Sequence, residues 1–235
     1  MLQLLKDNLA VVEKNIADAC KRSGRSRSDV TLVAVSKTKP NEMIGEVYAL
    51  GVRDFGENYP QELKAKHDTL PSDIRWHMIG HLQRNKVKYL IERVCMIHSV
   101  DTEELAETIS EQAVKHHLVM PVLAEVNMAE EDTKFGIRPQ DAEDFVRRIS
   151  VLPGIAVRGL MTIAPYVENP EDNRVHFRNL KNLSIDIGRK NIDNVAMCEL
   201  SMGMTNDYVV AVEEGATLVR VGTGIFGARD YSAAI

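Results

Sequence analysis

The chain has no C-x-x-C pair, no concentrated basic stretch, no G-x-G-x-x-G after its first strand and no linker or low-complexity segment, and each absence removes a class of protein. Cys20, Cys95 and Cys198 are odd in number, lie far apart and form no compact metal-ligand group, so a disulfide framework is not expected and a reducing compartment fits. With 29 Lys+Arg against 34 Asp+Glu the formal charge is −5, and nothing concentrates the cations against a phosphate backbone; nucleic acid is not an expected partner. The amino terminus runs straight into charge at Lys6-Asp7, and no apolar stretch approaches the ~18 residues needed to span a bilayer. A cytoplasmic protein with no membrane partner is expected.

What is present is alternation. Leu2, Leu5, Leu9, Val12, Ile16 and Ala19 recur every three or four residues, the apolar stripe of a helix that ends near Ser23-Gly24. Short apolar or β-branched runs then predict strands at Thr31–Ser36, Val52–Phe55, Arg75–Ile79, Met96–Ser99, Pro121–Val126, Ala156–Met161, Ala196–Leu200 and Leu218–Val221. Between them helical patterns fill Asn41–Leu50, Tyr59–His67, Gln83–Glu92, Thr102–His117, Pro139–Ser150, Glu171–Lys190 and Thr205–Glu214. Eight strands alternating with helices predict an α/β fold, a single (βα)8 TIM barrel with an extra N-terminal helix, one domain over residues 1–235. A 44% hydrophobic content supports a core of that size. No apolar helix stripe is left over to demand an oligomer, so a monomer is expected.

Chemistry in such a barrel lies at the carboxyl ends of the strands. There the first strand delivers Lys37, the end of the apolar run Leu32-Val33-Ala34-Val35-Ser36. A lysine where a packed core meets a loop commonly loses its proton or gains a partner, and a neutral amine is the nucleophile of Schiff-base chemistry. The seventh and eighth strands exit through Ser201-Met202-Gly203 and Gly222-Thr223-Gly224, small residues whose backbone N–H groups and hydroxyls suit a phosphate. Arg220 interrupts the apolar strand Leu218–Val221; if Val219 and Val221 face the helices, its guanidinium points into the barrel. There it meets either a structural ion partner or a ligand acceptor. An aldehyde for Lys37, a phosphate for the last two loops and a ring nitrogen for Arg220 occur together in pyridoxal 5′-phosphate. A phosphosugar would satisfy the first two groups and leave Arg220 without a role.

The blocks Val33-Ala34-Val35-Ser36-Lys37, Phe55-Gly56-Glu57-Asn58, Trp76-His77-Met78-Ile79-Gly80-His81-Leu82-Gln83, Ile97-His98-Ser99-Val100-Asp101, Leu200-Ser201-Met202-Gly203-Met204 and Val219-Arg220-Val221-Gly222-Thr223 resemble, in order and over essentially the whole chain, the pyridoxal phosphate homeostasis proteins. That family is similar to the barrel domain of alanine racemase without its second domain. The resemblance implies that Lys37 holds pyridoxal phosphate as a Schiff base, that Ser201, Gly222 and Thr223 bind its phosphate, that Arg220 faces the pyridine nitrogen, and that Asn58 neighbours the ring. Tyr59-Pro60, Thr205 and Gly224 depart from the family's usual residues, and Pro60 bears on the loop after Asn58.

An arginine at the ring nitrogen favours the unprotonated ring, a poor sink for carbanion electrons. The chain also ends 14 residues past the eighth strand, where a racemase would carry the domain with its opposing acid. The expected function is intracellular binding and hand-over of pyridoxal phosphate, with pyridoxal-dependent apoenzymes as recipients and no robust turnover of amino acids. Two alternatives stand beside it: a weak racemase using Tyr59, His81 or Tyr166 as the second acid, and a cofactor-free interaction scaffold. His77 is expected in a core or loop role, Glu57 and Glu62 in structural pairing, and Asp207 at a helix end.

Overall fold

The computed structural model describes residues 2–131 and 133–228; the segment 229–235, which the sequence sets beyond the last strand, lies outside them. Eight parallel strands close in chain order: β1 (Thr31–Val35), β2 (Asp54–Glu57), β3 (Arg75–Met78), β4 (Met96–Val100), β5 (Met120–Glu125), β6 (Ile155–Met161), β7 (Val195–Met204) and β8 (Leu218–Val221), with β8 pairing back to β1. Helices α1 (Leu2–Arg22), α2 (Asn41–Ala49), α3 (Pro60–His67), α4 (Glu103–Lys115), α5 (Ala142–Ser150), α6 (Arg174–Gly188), α7 (Tyr208–Glu213) and the four-residue α8 (Thr223–Phe226) cover it. This is the TIM barrel with an N-terminal helix. No described helix is long and apolar enough to cross a membrane.

The pleat sorts side chains into two cores. Leu32, Ala34, Trp76, Met78, Val219 and Val221 pack outward against the helices, whereas Val33, Leu123, Met161 and Leu218 form a small separate cluster inside the barrel. The extra helix buries Leu5, Leu9, Val12 and Ile16 and packs against α7 and α8. Asn8 there donates to the Ile225 carbonyl (3.0 Å), which ties the first helix to α8.

Several predicted boundaries move. The helix expected over Gln83–Glu92 is a 3-10 stretch, Arg84–Tyr89, with Leu90 N–H bonded to Val87 O (2.9 Å). Val87 and Leu90 are both buried, and a three-residue turn eclipses positions three apart more closely than an α-turn does. β2 starts two residues later than predicted, because Val52 packs on the core ahead of the strand rather than inside it. β7 runs through Met204, well past Leu200, and α7 starts correspondingly late.

Close backbone approach fixes one glycine. At Gly159 (φ +155°), beside the register shift between β6 and β7, a Cβ would lie 1.8 Å from the Glu199 carbonyl oxygen. Backbone cannot retreat there without breaking the ladder. Gly159→Ala is expected to cost more than about 4 kcal/mol, read by urea unfolding or by loss of soluble protein.

Candidate functional site

Inward parity brings the predicted residues to one end of the barrel. Val33 pairs with Arg220 and Ala34 with Val221, so Lys37, on the parity of Val33 and Val35, rises beside the exit of β8. A Cβ on Gly222 would touch Val35 at 3.4 Å, which shows how closely the two strand ends approach. Asn58 likewise continues the inward parity of Gly56. Gly80 lets it do so: a Cβ there would lie 2.8 Å from the Asn58 backbone.

The half-buried Lys37 sits on a braced loop. Buried Ser36 donates to Glu57 Oε1 (2.6 Å); Lys66, only 4% exposed, donates to the Ser36 carbonyl (2.7 Å), to Glu57 (2.7 Å) and to Glu62 (2.6 Å). Glu62 in turn accepts from the Thr38 N–H (2.6 Å). Thr38 has φ +63°, a conformation costly for a β-branched residue and held only where neighbours over-determine it. The two glutamates expected to pair structurally therefore do so through a shared lysine. Burial raises the Glu57 carboxyl, with Lys66 opposing that rise.

Arg220 does point into the barrel, at 3% exposure. It donates to Ser201 Oγ (2.5 Å) and to the Thr162 carbonyl (2.8 Å), and among the described residues no carboxylate lies within ion-pair distance of it. Burial lowers it to about 10, with Glu125 and Asp207 acting at longer range to hold it up. A buried guanidinium with two neutral acceptors has N–H capacity for a further one. Ser201 lies apart from Gly222 and Thr223. It is level with Leu218, fully buried, and its second partner is His98 Nδ1 (2.9 Å). The hydroxyl that does reach the last loop is Thr205, which accepts from Gly222 N–H (3.2 Å) and Gly224 N–H (3.4 Å). Thr205 and Gly222 are thus gathered at the rim beside Thr223, with Ser201 in the layer beneath.

Asn58 lines a cavity of about 470 Å³ with Tyr59, Gly80, His81, Lys86 and Glu125. His81 is stacked on Phe135 (3.7 Å between centroids), whereas Tyr166 is 89% exposed, turned toward solvent. Glu125 escaped the sequence reading. It ends β5 on the inward parity of Leu123, 4% exposed, and burial, then Asp101, push its carboxyl up to about 7 against the pull of Arg220. The same sign that exposed Arg220, a charge in an apolar strand, would have found it.

That shift has a signed consequence for stability. The unfolded carboxyl ionises from its ordinary 4.5 while the folded one stays protonated to about 7, so the stabilisation present below 4.5 is lost as pH rises through that window. The full difference is about 3 kcal/mol. Glu125→Gln is expected to flatten this slope, read by urea unfolding at about pH 5 and about pH 8.

A lysine amine, a buried cation with spare donors, and amides and hydroxyls at the neighbouring rim form a donor set that fits an aldehyde-bearing aromatic phosphate. A family model described as the N-terminal domain of alanine racemase matches residues 8–230. The chain is 46% identical over 226 residues to a pyridoxal phosphate homeostasis protein of Aquifex aeolicus, covering 96% of this chain and 98% of that one. It is similar to a protein of Bifidobacterium adolescentis (TM-score 0.91, 37% identity, 96% and 95% coverage). It is also similar to PipY of Synechococcus elongatus, in a structure described as having PLP bound (TM-score 0.78, 36% identity, 90% and 100% coverage).

Proposed function

The chain belongs to the alanine racemase N-terminal-domain family and, within it, to the pyridoxal phosphate homeostasis proteins, and from that we propose that it binds pyridoxal 5′-phosphate through Lys37 and serves to store and hand it over inside the cell. The observation that carries this reading is Arg220, buried with no carboxylate partner among the described residues, one strand away from an amine on a braced loop. When bound, pyridoxal phosphate supplies an aldehyde for an amine and an aromatic ring that can draw electrons from it.

The protein's own residues then divide the work. Lys37 provides the amine. Thr205, with the Gly222 and Thr223 backbone, receives the phosphate; Thr205 already bonds the Gly222 amide and needs only to turn its hydroxyl outward. Arg220, held in place by Ser201 and Thr162, would donate to the ring nitrogen. Asn58, at the exit of β2, would neighbour the ring. A guanidinium facing that nitrogen would disfavour its protonation, which would weaken the ring as an electron sink and keep amino-acid turnover slow. Pyridoxal-dependent apoenzymes are the recipients this reading implies, and a monomer in the cytoplasm is the form it assigns.

One observation favours weak racemisation as a second reading: Glu125, a buried carboxyl that titrates near neutrality, lines the cavity beside Asn58 and His81. A single experiment separates them. Purified protein with added pyridoxal phosphate is scanned in the visible range, reduced with borohydride, digested and mapped, and then assayed with both isomers of alanine and serine. A yellow protein with its adduct on Lys37 and no sustained isomerisation is expected. Turnover that disappears in Lys37→Ala would move the assignment to the racemase, and a colourless protein without adduct to a scaffold.

A further inference from the structure

A chain of hydrogen bonds crosses the interior of the barrel from its amino end to Arg220. Asp54, at the start of β2, is gripped by the partly exposed Arg75 (Nε–Oδ1 2.8 Å). Asp54 Oδ1 lies 3.1 Å from His77 Nε2, His77 Nδ1 lies 2.9 Å from His98 Nε2, and His98 Nδ1 lies 2.9 Å from Ser201 Oγ, which receives Arg220. Both rings are buried and none of the function described so far uses them.

The valence of these atoms allows two states. Each contact holds one hydrogen, and a ring nitrogen either donates or accepts. If His77 is protonated on both nitrogens, it donates to Asp54 and to His98 Nε2. His98 must then carry its hydrogen on Nδ1 and donate to Ser201, whose own hydrogen turns away from the ring. If His77 keeps only the Nε2 hydrogen facing Asp54, its Nδ1 accepts. His98 then donates from Nε2, and its Nδ1 accepts the Ser201 hydroxyl. One proton at His77 thus reverses both bonds between His77 and Ser201, the group that holds Arg220, and leaves the bond to Asp54 as it was.

We propose that His77 and His98 are positioning residues: the protonation of His77 at the amino end of the barrel sets the tautomer of His98 and the direction of the Ser201 hydroxyl, and through it the hydrogen bonding of Arg220 at the ligand end. The proposal deepens the pyridoxal phosphate reading, on which it rests for the role of Arg220. The charged and titratable groups facing the relay are Asp54, Arg75 and Cys95, whose Sγ is 3.4 Å from His77 Nε2, at one end; Arg220 closes the other, with Glu125 and Asp207 acting on it from β5 and from the turn after β7. Burial pulls His77 down, yet Asp54 and Cys95 together hold it up at about 9, while burial, His77 and Arg220 keep His98 well below its ordinary range. That balance favours the doubly protonated form of His77 at neutral pH and disfavours a charge on His98.

The test uses the full chain without added cofactor, labelled with ¹⁵N at histidine and arginine, and follows ring and guanidinium nitrogens by long-range ¹H–¹⁵N correlation from about pH 6 to about pH 10. His98 should hold its hydrogen on Nδ1 at neutral pH and move it to Nε2 with the same midpoint at which His77 loses a proton, and the Arg220 Nη signals should shift with them. Asp54→Asn should lower that shared midpoint by at least about one pH unit, all signals moving together. Ser201→Ala should leave the two rings coupled and release Arg220 from them. A His98 tautomer constant across the range, or Arg220 signals that still follow His77 in Ser201→Ala, would overturn the relay; the wild-type titration alone decides the first point if Asp54→Asn does not fold. Because no arm contains pyridoxal phosphate, failure of the relay and failure of cofactor binding are read separately.

Discussion

Replacing Lys37 with alanine should abolish the visible absorbance and the borohydride-fixed adduct, while the fold survives. Lys37 is half-buried at the end of the inward row Val33-Val35-Lys37, so its loss removes the amine without opening the core. The loop keeps its anchors, since Ser36, Thr38 and their partners Glu57, Lys66 and Glu62 are untouched. Non-covalent contacts through Arg220 and the last loop remain, and affinity should fall by a factor of about 100 or more rather than to zero, since the lost link is covalent and every 1.4 kcal/mol is tenfold. Absorbance titration with pyridoxal phosphate and peptide mapping after reduction read both effects. An undiminished adduct in this variant, carried by another lysine, would detach the function from the first strand.

Lys66→Met should be the most damaging single change to the site that leaves the cofactor contacts themselves in place. Lys66 holds three acceptors from a buried position, and its removal strands Glu57 in the core with Oε2 already lacking a partner among the described residues. Breaking one side of a buried ion pair costs about 3–5 kcal/mol, because the surviving charge stays buried. Glu57→Gln added to Lys66→Met should return part of that loss, since an amide is far less costly to bury than a carboxylate. Urea unfolding of the two single variants and the double gives the coupling. In the same series the rate of adduct formation should fall in Lys66→Met more than stability alone explains, because Thr38 holds its left-handed backbone only while Glu62 is aimed at it. Equal rates in wild type and Lys66→Met would show that the brace does not position Lys37.

How far the sequence reached depends on what kind of signal each residue gave. Arg220 was legible because a cation in a four-residue apolar strand breaks local pattern, and alternation with Val219 and Val221 fixed its direction. Glu125 and His98 break their strands in the same way and were readable by the same rule. Ser201 was misplaced for a different reason. The predicted seventh strand stopped at Leu200, which assigned Ser201 to the rim; the strand runs on through Met204, and the serine is carried inside. Gly203, with φ +88°, looked like a strand end and is a bend within one.

The order of strands and helices, the faces taken by the side chains of β1 and β8 and the lysine at the mouth of β1 were determined by the sequence alone, because periodicity and parity act between neighbours a few residues apart. Which polar groups meet across the interior was decided only by closure of the barrel. His98 and Ser201 are 103 residues apart in the chain, and Arg220 and Thr162 are 58 apart. No local pattern encodes such distances; they follow from the register of eight paired strands and the single way in which the last can join the first.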